Sequence, residues 1–109
     1  MELDLTNIKC VPCEGGVPPL TTEQILHFQE RLTGEWEVIQ NKKIKREFSF
    51  ADFKEAMVFV NKVAALAEEE GHHPDVHIFY NKVVIELWTH AVGGLSQNDF
   101  ILAAKIERL

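Results

Sequence analysis

Cysteine is scarce in this 109-residue chain. Cys10 and Cys13 are too few for a disulfide framework and suit a reducing compartment. Apolar runs are short too, and none approaches the roughly 20 residues that a membrane-spanning helix needs. Positive charge is in deficit: 11 Lys and Arg stand against 17 Asp and Glu, a formal net charge of -6. A polyanion such as duplex DNA would meet repulsion instead of releasing counterions. The start, MELDLTNIKC, carries acidic residues and no uninterrupted apolar stretch, which speaks against a secretory signal. Internal repeats and low-complexity segments are also missing. These absences point to a cytoplasmic globular domain with neither a nucleic-acid nor a membrane partner.

What is present fits one domain, with 46% hydrophobic and 26% charged residues. Residues 1–20 read as an irregular arm, punctuated by Cys10, Cys13, Gly15, Gly16, Pro18 and Pro19. Residues 21–109 read as a single folded domain. TTEQILHFQERLTG predicts a helix capped by Thr21 or Thr22, with Ile25, Phe28 and Leu32 in phase and Gly34 at C′. WEVIQNKKIKREFSF predicts a hairpin turning at Asn41–Lys42, with Arg46 as a polar exception among Ile44, Phe48 and Phe50. The clearest helix runs from an Asp52 cap to a stop at Gly71. Its expected apolar stripe is Phe53, Met57, Val60, Val63, Ala64 and Ala67. A second hairpin turns at Asn81–Lys82 and aligns Val83, Ile85, Leu87 and Thr89 on one face. SQNDFILAAKIERL closes as a helix, with Ser96 and Asp99 spaced as a capping box. The order α-β-β-α-β-β-α implies an α+β domain of two layers, a four-stranded antiparallel sheet with three helices on one face.

Four of the five histidines fall between Glu68 and His90. Glu68 and His72 are four apart across a helix end, so they share a side. Pro74 forces His73 into an extended conformation. The second hairpin returns His90 to the start of its partner strand, next to His72 and His73. A metal site could draw on His73, His77 and His90, but no carboxylate or cysteine completes an obvious ligand motif. Each histidine alone is most simply a solvated residue at an element end. The convergent set favours acid/base work, because an imidazole with a pKa of about 6.5 exchanges protons near neutrality. No nucleophile motif accompanies it, which points to elimination, hydration or isomerisation without a covalent intermediate.

The pattern Glu68-x3-His72-His73-Pro74, then Tyr80-Asn81-Lys82-Val83-x-Ile85-x-Leu87-x-Thr89-His90, then Gly94-Leu95-Ser96-x2-Asp99, resembles the pterin-4a-carbinolamine dehydratases. The resemblance runs from about Trp36 to the C-terminus. It implies a hydro-lyase that converts 4a-hydroxytetrahydropterin to quinonoid dihydropterin with no metal or other cofactor. It makes His72, His73 and His90 catalytic, and places Glu68, Gly71, Trp88, Thr89, Asp99 and Trp36 around the pterin. Three positions depart from the family pattern: Gly71 replaces a polar residue, Trp88 a small one and Ala91 an acidic one. All three bear on pocket shape. The resemblance also leaves two other roles open, a pterin-binding accessory protein of molybdenum-cofactor metabolism and a non-enzymatic dimerisation coactivator.

Several of these residues also have plainer uses. Asp99 suits the cap of the last helix, Glu68 a solvated acidic run, and Trp36 the core. Cys10-x2-Cys13 is half a zinc site, a redox pair or a merely structural arm, the last being the simplest. Val58, Phe59, Ile101 and Ile106 extend the helical apolar surface, and a four-stranded sheet leaves two open edges. Together with the resemblance, this leads to the expectation of a homo-oligomer built as a dimer of dimers.

Overall fold

A computed structural model describes residues 4–11 and 17–109. Cys13 lies outside the described residues, so the Cys-x2-Cys pair is not placed. The elements are α1 (Thr22–Gln29), β1 (Glu37–Ile39), β2 (Lys43–Ser49), α2 (Phe53–Glu70), β3 (Asp75–Phe79), β4 (Lys82–Leu87) and α3 (Gln97–Ile106). The four strands form one antiparallel sheet in the order β1-β2-β4-β3. The fold class expected from the sequence is the one observed.

Local chemistry explains most element ends. The Thr21 hydroxyl accepts from the Gln24 backbone N–H, and the Gln24 side chain answers at the Thr21 N–H, a complete capping box. The Asp52 carboxylate accepts from the Glu55 N–H to start α2. Gly71, at φ 68°, takes the left-handed conformation that ends it. Gly34 does not cap α1. That helix stops at Gln29, and the Gly34 N–H instead donates to the Glu107 carboxylate.

The first hairpin turns through Gln40–Lys42, which includes the expected Asn41–Lys42, and the second turns one residue earlier than expected. Gln40 and Asn41 carry the positive φ of the first turn, and Tyr80–Asn81 separate the paired Phe79 and Lys82 in the second. The Asn81 side chain donates to the Phe50 carbonyl and its own carbonyl accepts from the Phe50 N–H, which fixes that turn against the end of β2.

Val83, Ile85 and Leu87 are fully buried on the sheet face that meets the helices, and Thr89 continues the line. The buried stripe of α2 is Ala56, Phe59, Val63 and Ala67, so Phe53 and Ala64 lie outside it, facing solvent. The large aromatic at Phe59 decides this, because it packs against Phe48 and Phe50 of the sheet layer. Phe59, Ile101 and Ile106 therefore belong to the protomer's own core, and only Val58 of the four residues expected to extend the helical surface is exposed. Eight of the ten residues of α3 are buried, because the helix packs against α1, α2 and the 3-10 turn Leu5–Asn7. No helix among the described residues is long and apolar enough to cross a membrane.

Candidate active site

The left-handed Gly71 turns the chain out of α2 so that His72 and His73 leave it beside the first turn of α3. His72 Nε2 meets Asp99 Oδ1 at 2.6 Å. Asp99 is completely buried. Its second oxygen, Oδ2, accepts from the Thr89 hydroxyl at 2.8 Å and from the Ser96 backbone N–H at 2.9 Å. Asp99 thus serves as cap and imidazole partner at once, so the two readings of this residue are compatible. Two anchors, Thr89 and Ser96, fix the carboxylate, and the carboxylate fixes the ring. Asp99 takes Nε2 of that ring, which leaves Nδ1 outside this pair.

His73 Nε2 pairs with Glu68 Oε2, but both side chains are mostly in solvent. His90 follows β4 within a small closed loop. Thr89 N–H donates to the Gly94 carbonyl at 2.7 Å, and Gly93, at φ 70°, ends the intervening 3-10 turn His90–Val92. The His90 ring lies 3.6 Å from the Trp88 ring, centroid to centroid, and the Trp88 indole N–H donates to Asp75 Oδ2 at 3.1 Å.

These pieces enclose one pocket of about 280 Å³, lined by His72, His73 and His90 together with Gly71, Trp88, Thr89 and Ala91. Val11 and Asn98 complete its lining. The hairpin brings the three histidines together as strand geometry requires. Asp99 and Glu68 stand outside the lining and reach the pocket through their histidines.

Two residues considered for the site lie elsewhere. Trp36 is only 3% exposed and does not line this pocket. Its indole N–H donates to Glu107 Oε2 at 2.9 Å, and Arg46 joins the same oxygen while lying over the Phe48 ring. This makes Arg46 a core-edge residue, which explains its interruption of an apolar strand face. His77 pairs with Glu86 at 3.0 Å, and Lys43 holds the other oxygen of Glu86. The metal set His73, His77 and His90 is therefore not brought together. Among the described residues no group of His, Cys, Asp and Glu has the arrangement a metal ion would need.

Val11 and Asn98 are the lining residues that sequence reasoning missed. They are joined across 87 positions by hydrogen bonds between the Asn98 side chain and the Val11 backbone, which no local periodicity announces.

Residues 18–109 match the family described as pterin 4 alpha carbinolamine dehydratase. The chain belongs to that family. A relative from Rickettsia bellii, provisionally named for the same dehydratase, is 47% identical over 96% of this chain and 93% of its own. A similarly named relative from Nitrosospira multiformis is 49% identical over 97% of this chain and 92% of its own. Among solved structures, a transcriptional coactivator/pterin dehydratase from Brucella melitensis aligns with a TM-score of 0.77 at 32% identity. That alignment covers 83% of this chain and 96% of the other.

Proposed function

We propose that this family member is an active dehydratase, removing water from 4a-hydroxytetrahydropterin to give quinonoid dihydropterin. The reading rests above all on one observation, the meeting of His72, His73 and His90 on a single pocket with His72 held by a buried carboxylate. The reaction needs two proton movements. A protonated imidazole gives its proton to the 4a-hydroxyl as the C4a–O bond breaks and water departs. A neutral imidazole takes the proton from N5, and the N5–H electron pair becomes the new C4a=N5 bond. Imidazoles serve both roles near neutral pH, and they can exchange them for the two configurations at C4a. His72 is suited to receive a proton, since Asp99 stabilises the imidazolium that forms. Neither step calls for a metal or a cofactor. In a cell the product would be reduced and returned to an aromatic amino acid hydroxylase.

The test is direct. Freshly generated 4a-hydroxytetrahydropterin should lose water faster with the purified protein than without it, and chelator treatment should leave the rate unchanged. Pterin binding without acceleration would favour a binding role in molybdenum-cofactor metabolism. Activity lost to chelator and restored by zinc would require a metal mechanism.

A further inference from the structure

Three consecutive residues of the arm, outside the family match, are fastened to the helix ends that carry the acid/base set. Lys9 Nζ donates to the Glu69 carbonyl at 2.9 Å, and the Cys10 N–H donates to Glu70 Oε1 at 2.9 Å. Asn98 grips Val11 at two points: its Oδ1 accepts from the Val11 N–H at 3.0 Å, and its Nδ2 donates to the Val11 carbonyl at 2.5 Å. Glu69 and Glu70 end α2, directly before Gly71 and His72. Asn98 precedes Asp99 in the first turn of α3. The main chain of Val11 is thus placed in register with His72 and its carboxylate.

The Val11 side chain has a different environment. It is 64% exposed, yet it forms part of the histidine pocket's lining. A lone exposed valine ordinarily needs no explanation. This one has both main-chain groups fixed by a buried asparagine, and much of its apolar surface is exposed where it lines the pocket.

We infer that Val11 is the apolar wall against which the bound pterin packs, a specificity-determining residue positioned by Asn98. The inference rests on the dehydratase reading above. A side chain with no titratable group contributes contact but no proton. It should therefore act on ground state and transition state alike and appear in KM, not in kcat.

Steady-state kinetics on the full chain test this with Val11→Ala, Asn98→Ala and the double variant. Val11→Ala, an exposed change that leaves the fold intact, should raise KM about three- to tenfold from lost apolar contact, with kcat within about twofold. Asn98→Ala should raise KM similarly by releasing the wall. In the double variant Val11→Ala should add almost nothing, since a wall already out of place has no contact to lose. Wild-type turnover with an unchanged KM in Val11→Ala overturns the inference alone. A fall in kcat at unchanged KM overturns it as well. Absence of turnover in the wild type removes the dehydratase reading and this inference with it.

Discussion

His72 meets Asp99 at 2.6 Å, and His73 meets Glu68 at nearly the same separation, yet the two pairs are physically unalike. The His72 and Asp99 side chains are 11% and 0% exposed, against 62% and 77% for His73 and Glu68. Asp99 is held by Thr89 and Ser96, so its ring partner has one orientation. Among the described residues, Glu68 has His73 as its one side-chain partner, at the surface. An exposed ion pair loses most of its Coulomb attraction to water and must also restrain two side chains, so it is worth little. Distance alone does not distinguish the pairs. Burial and independent anchoring do, and they assign the oriented imidazole to His72.

The largest effect should come from the histidines themselves. His72→Ala should lower turnover by about 10⁴, and His73→Ala by nearer 10², the two ends of the usual range for general acid/base groups. Single-turnover rates on the two variants would measure both. Equal losses, or a larger loss at His73, would break the comparison.

Removing charge without changing shape sharpens it. Asp99→Asn should reduce turnover by about 10² or more, because an amide cannot stabilise an imidazolium as a carboxylate does. It should also destabilise the fold by about 1–3 kcal/mol, since one amide cannot accept from His72, Thr89 and Ser96 in the same way inside a buried network. Urea melts would report the second effect separately from the first. The matching change at the surface, Glu68→Gln, should move turnover by less than about threefold and leave stability within about 0.5 kcal/mol. If Glu68→Gln proved as damaging as Asp99→Asn, anchoring would not be the distinction that matters.

The sequence made the site's location legible because its placement depends on local rules. A proline after His73, a glycine at the helix end and a hairpin of fixed register are enough to bring His72, His73 and His90 together. What it concealed depends on distant partners. The burial of Trp36 against Glu107 spans 71 positions, so its indole read equally well as a pocket wall or a core residue. The second turn was offset by one, and the first gained a residue, because Tyr80 and Gln40 hold positive φ, which neither residue type advertises. In α2, apolar residues occupy more than one face, and the choice of Phe59 over Phe53 was made by aromatic neighbours in the sheet. Fold order survives such errors. Individual lining residues do not.

The smallest expected effect concerns the pH range over which the arm stays attached, a contact made beside the anchored pair and not the exposed one. Burial pushes the Glu70 carboxyl up, but the Cys10 N–H, the Lys105 ammonium at 2.8 Å and Lys9 outweigh it and hold the group below its ordinary 4.5. A depressed carboxylate contributes stability that is present above the unfolded value and lost as pH falls through the folded one. Cys10 runs the other way. Burial first, then the neighbouring Glu70 charge, pushes its thiol up to about 12 from 9.0, so stability is present below the unfolded value and lost as pH rises toward 12. The contribution of these two groups should be flat between these limits, from about pH 5 to about pH 9, and fall on each side. Glu70→Gln should flatten the part of the acid limb due to this group and leave the His72–Asp99 pair untouched, whereas Cys10→Ser, in a Cys13→Ser background, should weaken the alkaline limb. Urea midpoints measured from pH 3 to pH 10.5 on these variants would read both limbs. An acid limb of unchanged slope in Glu70→Gln would mean that this carboxylate does not hold the arm.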